Sequence, residues 1–357
     1  MMNQSERTRK QLALHALAYP RIQIEDVFKF LYQSAFGCEH MVTSLPRATE
    51  YIKQEAAGRL DGDGHLIDPL DGDYSRVHLS WLHDGLTPET LTRMFCASAT
   101  SEAHGTSRLE SLISTTVELI ESGSIPLSSA EFEEDLTAWK AMGFPAVHHS
   151  EIFRTTYTPA YRVVSNRFAN FLPLFSRLDT MLAKGSVILA LEGGSASGKS
   201  TLAESLREVY GCNVIHMDDF FLRPHQRTPE RLSEVGGNLD RERFAAEVLP
   251  ALAQGATVTY SPFDCATQSL SAPIILAPNR LTVVEGAYAL HPAFGDYCDL
   301  SVYLDIDPEQ QRSRIMKRNS PTFAQRFFNE WIPLENRYFT ETDIRARVHM
   351  TVPVWKS

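Results

Sequence analysis

The chain lacks any run approaching the roughly 18 consecutive apolar residues of a membrane-spanning helix, so no membrane segment is expected. It also lacks a basic excess. Its 34 Lys+Arg stand against 44 Asp+Glu, for a formal charge of −10, which argues against a nucleic-acid surface. Paired cysteines are missing too: Cys38, Cys96, Cys212, Cys265 and Cys298 are odd in number, scattered, and without a CxxC. That usage predicts reduced thiols in a cytoplasmic protein. There is no internal repeat and no low-complexity segment. Near the start, Arg7, Arg9 and Lys10 precede LALHALA, but the apolar stretch is short and contains His15. A surface helix is expected there, not a signal peptide.

What is present is ordinary globular material. A 43% hydrophobic fraction supports a sizeable core, and 357 residues at roughly 100–200 per domain predict two domains. The strongest punctuation lies at Lys184-Gly185, where a helical period ends and SVILALEGG begins. The expected domains are therefore residues 1–184 and 185–357. Charge does not divide there: residues 1–184 hold 17 basic and 23 acidic side chains, leaving 17 and 21 for the rest.

The first part reads as mainly helical, with three- and four-residue apolar spacing over 21–36, 46–57, 87–100 and 108–122. Asp61, Asp63 and His65 in DGDGHLIDPLDGDY invite a calcium reading. It fails, because an EF-hand loop here would have Leu66 at its glycine position and Gly72 at its glutamate position. The segment is read as a solvated turn. Strands are expected at 187–192, 213–217, 281–285 and 300–304, helices at 199–209, 240–253 and 307–318, with HMTVPV (349–354) a candidate further strand. This alternation predicts an α/β fold with a doubly wound parallel sheet.

Gly193-Gly194-Ser195-Ala196-Ser197-Gly198-Lys199-Ser200, followed by Thr201, satisfies GxxxxGK[ST] between a strand and a helix. Glycines let backbone N–H groups close around phosphate oxygens at a helix N-terminus. Lys199 is expected against the β- and γ-phosphates, and the Ser200 hydroxyl on Mg²⁺. The next strand ends in His216-Met217-Asp218-Asp219, placing two acids where open α/β sheets bind ligands. One of them can take the proton of an attacking hydroxyl. Glu285, closing LTVVE, is a candidate for holding Mg²⁺ directly or through water. Arg314 and Arg318 lie four apart on one helical face and are candidates for neutralising a transferred phosphoryl group.

Taken in order, GGSASGKST, MDDFFLRP, GGNLDRERF, VVEGAYAL and RIMKRN resemble the uridine kinase/phosphoribulokinase group of P-loop kinases over about residues 186–345. The resemblance implies ATP- and Mg²⁺-dependent phosphorylation of a small-molecule hydroxyl. It puts the base on Asp218, with Asp219 as the alternative, and acceptor binding on Asp218, Phe221, Tyr260, Asp264 and Glu285. Uridine kinases follow the acceptor segment with a His and an Arg, where this chain has Gln268 and Leu270, and Gly236–Asp240 replaces their Asn-Tyr-Asp-His-Pro. The closer likeness is to bacterial uridine kinase-like proteins with MDDFF and GGN-x-D. Pantothenate, glycerate, a sugar phosphate or another nucleoside stay open as acceptors. A nucleotide-responsive regulatory protein without an acceptor is the alternative from a different class.

Residues 1–184 resemble no family of known chemistry, yet hold eight of the twelve histidines. His40, Arg76, His148, His149, Tyr161 and Arg162 would suit an acidic or hydroxylated substrate. A substrate-selecting or regulatory role is the expectation for this part.

Overall fold

The computed structural model describes residues 4–38, 44–57, 67–98 and 105–354. His40 and the Asp61–His65 stretch lie outside them. The chain divides into two compact units, Met1–Asp179 and Thr180–Ser357, the division falling inside the helix Leu172–Leu182. No helix among the described residues is long and apolar enough to cross a membrane.

The first unit is mostly helix. Its organising element is Ile24–Phe36, whose Val27, Phe28, Phe30 and Leu31 are buried. The Gln23 N–H donates to the Asp26 carboxylate at 3.0 Å, capping the helix start, and Gly37 at φ 63° ends it. Phe28 stacks on Trp139 with centroids 4.5 Å apart, and the core continues through Leu109, Leu112, Phe132 and Phe153.

Helical periodicity does not reveal the antiparallel sheet in this unit, formed by β1 (Ile67–Pro69), β2 (Tyr74–His78) and β3 (Tyr161–Ser165) in the order β1-β2-β3. In β2, consecutive residues Ser75, Arg76 and Val77 are all buried, so the strand has no alternation to read.

In the second unit the sheet comprises β4 (Val187–Gly193), β5 (Asn213–His216), β10 (Leu281–Glu285), β11 (Leu300–Asp305) and β12 (Met350–Pro353). Its order is β12-β11-β4-β10-β5, and every pair is parallel. The intervening short strands are β6 (Val258–Tyr260) with β9 (Ile274–Leu276), and β7 (Phe263–Asp264) with β8 (Ser269–Leu270). The unit is therefore a parallel α/β sheet with flanking helices. Register matters most at one edge: Glu285 lies opposite His216 on one side and Leu191 on the other. The helix expected over 240–253 breaks at Val248 into Arg241–Glu247 and Leu249–Gln254, because Pro250 at the second start carries no N–H.

Asp179 shows how tightly the first unit is tied. Its buried carboxylate accepts the Thr87 N–H at 2.7 Å, the Thr87 hydroxyl at 2.9 Å and the Thr90 hydroxyl at 2.8 Å, fastening the start of the helix Pro88–Ala97. Asp179→Ala strips these donors of their acceptor and should cost about 1–3 kcal/mol. An unchanged denaturation midpoint for the first unit would contradict that anchoring role.

Candidate functional site

The central strand β4 ends directly in the loop 193–198, and the helix Lys199–Tyr210 starts at the loop's end. Gly193 sits at φ 146°, and a Cβ there would meet the Leu304 carbonyl oxygen at 2.8 Å. Only glycine fits that turn. The Lys199 side chain is folded inward: its Nζ donates to the carbonyls of Gly193 at 2.9 Å and Gly194 at 3.1 Å.

Two later helices close on this loop. From Pro308–Arg318, the Gln311 amide donates to the Ser195 carbonyl at 2.8 Å, and Arg314 Nη1 donates to the Ala196 carbonyl at 3.3 Å. From Ile332–Glu341, Glu335 accepts the Ser195 N–H at 2.8 Å and the Ser195 hydroxyl at 2.5 Å. A carboxylate thus already lies against a loop amide. An acceptor oxygen at this N–H is the kind of contact a phosphate oxygen would make.

Acids crowd around Lys199. Glu285, at the end of β10, accepts the Ser200 hydroxyl at 2.9 Å and pairs with His216 Nδ1 at 2.6 Å. Burial alone would raise its pKa, but His216, Lys199 and Ser200 outweigh it and hold the carboxyl below its usual range. The same bond raises His216. Glu192, fully buried in β4, is pushed up to about 7 by burial, against N–H bonds from Gly193 and Leu290, the charge of Lys199 and the Tyr338 hydroxyl. Glu335 is also raised by burial.

Of the adjacent acids after β5, Asp219 accepts the Tyr260 hydroxyl at 2.9 Å. Asp218 is accessible and accepts no hydrogen bond from a described residue. Its carboxyl is raised first by desolvation in the surrounding protein, then by Glu285 and Asp219, while Lys199 and His216 pull it down. Gly286 (φ 145°) allows this meeting of strands: a Cβ there would lie 2.6 Å from that of Met217.

Residues 193–201, Asp218 and Glu285 therefore converge, and Tyr260 joins through Asp219. The other expected residues do different things. Asp264 accepts the Ala266 N–H at 2.7 Å and caps its own hairpin turn. Phe221 bridges to Leu239. Arg314 holds the loop through carbonyls, and Arg318 is exposed at the helix end. Glu192, His216, Gln311 and Glu335 were not singled out from sequence. An acid closing the apolar run VILALE was a usable signal for Glu192; Gln311 and Glu335 lie in no motif.

The donor set fits a nucleotide phosphate with Mg²⁺. The loop amides and Lys199 are donors suited to an anion, and Ser200 with Glu285 supplies two hard oxygens 2.9 Å apart. Among the described residues no group of three or more His, Cys, Asp or Glu side chains is arranged to hold a metal alone. Mg²⁺ bound largely by phosphate and water needs fewer protein ligands.

No family model matches the chain. Over 160 residues, 37% of the chain, it is 26% identical to the chloroplastic phosphoribulokinase of Arabidopsis thaliana, and over 148 residues, 39% of it, 25% identical to the uridine kinase of Chlamydia pneumoniae. These matches span 40% and 66% of those relatives, less than two-thirds of either. Among solved structures, a possible uridine kinase from Bacillus stearothermophilus aligns over 50% of this chain and 98% of its own, at 22% identity and a TM-score of 0.38. Over part of its length the chain is thus homologous to kinases named phosphoribulokinase and uridine kinase.

Glu192 makes the site's stability pH-dependent. Its pKa is about 7 when folded and 4.5 ordinarily, so between these values the native state binds the extra proton and stability falls as pH rises. The loss across that window should be on the order of 3 kcal/mol. Glu192→Gln should abolish it; parallel urea-unfolding profiles for the two proteins between those pH values would refute the assignment.

Proposed function

We propose that the second unit uses MgATP to phosphorylate a hydroxyl of a small molecule. The observation that carries this reading is the convergence of an accessible, unbonded Asp218 with Lys199 and the Ser200–Glu285 pair at the mouth of a phosphate loop. MgATP, when bound, supplies the phosphoryl group and the divalent charge that offsets its oxygens.

The chain's own residues do the rest. Loop amides and Lys199 orient the phosphates, and Ser200 with Glu285 offers oxygens to the metal. Asp218 accepts the proton of the acceptor hydroxyl at a carboxylate oxygen as that hydroxyl attacks. Burial raises the Asp218 pKa, which makes its carboxylate a stronger base. Asp219 already accepts the Tyr260 hydroxyl, which supports Asp218 as the base. His216 steadies Glu285, and Arg314 with Gln311 fixes the loop from its outer side.

Acceptor-dependent ADP release, screened across nucleosides, sugars, vitamins and hydroxy acids, tests the proposal. Lys199→Ala should abolish turnover with the fold retained. Asp218→Asn should keep ATP binding while slowing transfer at least about 100-fold. Full turnover by the lysine variant, or ATP binding with no acceptor stimulation across the panel, would overturn the reading. Undiminished transfer by Asp218→Asn would move the base to Asp219.

A further inference from the structure

The first unit contains a cavity of about 800 Å³, large enough for a small metabolite. At its wall stands a hydrogen-bonded series that the phosphoryl-transfer reading does not use. Asp26 accepts His149 Nδ1 at 2.8 Å, and His149 Nε2 lies 2.7 Å from the Tyr161 hydroxyl. Asp26 is wholly buried and also accepts the Ser150 N–H at 3.0 Å, the Ser150 hydroxyl at 2.7 Å and the Gln23 N–H at 3.0 Å. Burial would raise this carboxyl, but the bonds from His149 and Ser150 outweigh it and hold it below its usual range.

An ionised Asp26 places the His149 proton on Nδ1, so Nε2 is the acceptor and Tyr161 donates to it. Burial, with the charges of Arg76 and Lys29, pushes His149 down to about 4, so the ring is neutral near pH 7. Phe153 stacks on the ring at 4.1 Å and fixes its plane. The Gln33 amide approaches the Tyr161 hydroxyl at 3.3 Å, and the Arg76 guanidinium lies 4.9 Å from the Tyr161 ring centroid. Arg76 is buried, and its Nη2 has no hydrogen-bond partner among the described residues.

Charge distinguishes this cavity from the rest of the unit. Residues 1–184 carry 17 basic and 23 acidic side chains, yet the lining holds Lys29, Arg154 and Arg162 against a single carboxylate, Glu55. Glu55 is committed to Arg162 at 2.9 Å. Lys29 donates to the Val147 carbonyl at 3.0 Å, which leaves two further N–H donors on its ammonium. Arg154 and His148 are exposed at the lining. With Arg162 paired to Glu55, Lys29 and Arg154 are the cations left to face the concavity, and they suit an incoming anion.

We propose that this cavity is a small-molecule site of the first unit's own, binding an anionic metabolite whose phosphate or carboxylate is held by Lys29 and Arg154, with the Tyr161 hydroxyl oxygen accepting from a hydroxyl of the ligand. Asp26 and His149 are positioning residues, since they act on the ligand only through the orientation of the Tyr161 hydroxyl. The inference is independent of the phosphoryl-transfer reading, because none of its residues belongs to the second unit.

The test uses the full chain carrying Lys199→Ala, which removes phosphate binding at the loop. Ring-¹⁵N histidine signals, with His149 assigned by its loss in His149→Gln, are followed during titration with inorganic phosphate and, separately, with malate. Saturable movement of the His149 resonances by either probe is expected. The phosphate arm identifies a phosphate-selective site and the malate arm a carboxylate-selective one. Lys29→Met and, separately, the exposed Arg154→Gln should each weaken that binding at least about tenfold. Tyr161→Phe should bind while uncoupling the His149 signal, which a purely structural tyrosine would not do. His149 resonances unmoved by both probes up to about 10 mM, or affinity unaltered in a correctly folded Arg154→Gln variant, would overturn the proposal.

Discussion

The charge of Lys199, held inside its own loop, is the interaction around which the second unit's site is arranged. Its ammonium is bound by the first two loop carbonyls, and its field reaches Glu192, Asp218, Glu285 and Glu335. Four carboxyls around one lysine are more negative charge than that lysine balances. The structure handles the surplus unequally. Glu285 is kept ionised by His216 and Ser200, whereas Glu192 and Glu335 are raised by burial.

The parallel sheet is the means by which this crowding arises. Neighbouring strands β4, β10 and β5 end together, so a single register sets Glu285 beside His216 and within reach of Ser200. Gly286 then lets Met217 close in, bringing the paired aspartates to the same edge. The helices Pro308–Arg318 and Ile332–Glu341 add Gln311, Arg314 and Glu335 from far along the chain.

In the first unit the dominant constraint is a buried charge set in the strand β2. Arg76 is buried with Asp68 at 3.3 Å, with Gln33 on its Nε at 2.8 Å and aromatic rings of Phe30 and Tyr161 beside it. Burying a guanidinium costs far more than burying an apolar side chain and rarely improves stability on balance. Its cost is offset by Asp68, whose carboxyl stays well below its usual range despite burial because of His15 and Arg76. The same network, through Tyr161, continues to His149 and Asp26 and reaches the cavity wall.

Local chemistry made much of this legible. The glycines and lysine of the phosphate loop act through backbone and spacing alone, so residues 193–200 could be read without a fold. The strand–helix alternation after residue 185 likewise follows from apolar runs bounded by turns, and the parallel sheet follows from it. Asp218 and Glu285 were legible because strand ends are. Asp264 looked the same in sequence but is used by its own turn, and Arg318 stays exposed while Arg314, one helical turn earlier, meets the loop. The sheet of the first unit escaped notice because β2 is covered on both faces and holds an arginine. What the sequence by itself determined was the phosphate loop, the second unit's architecture, and Asp218 and Glu285 as acids at the strand ends beside it. What only the tertiary structure decided was which acid is free, which is bonded, and that Glu192, His216 and Glu335 belong to the site. Those outcomes depend on desolvation and on side chains brought from distant segments, and neither is a property of local spacing.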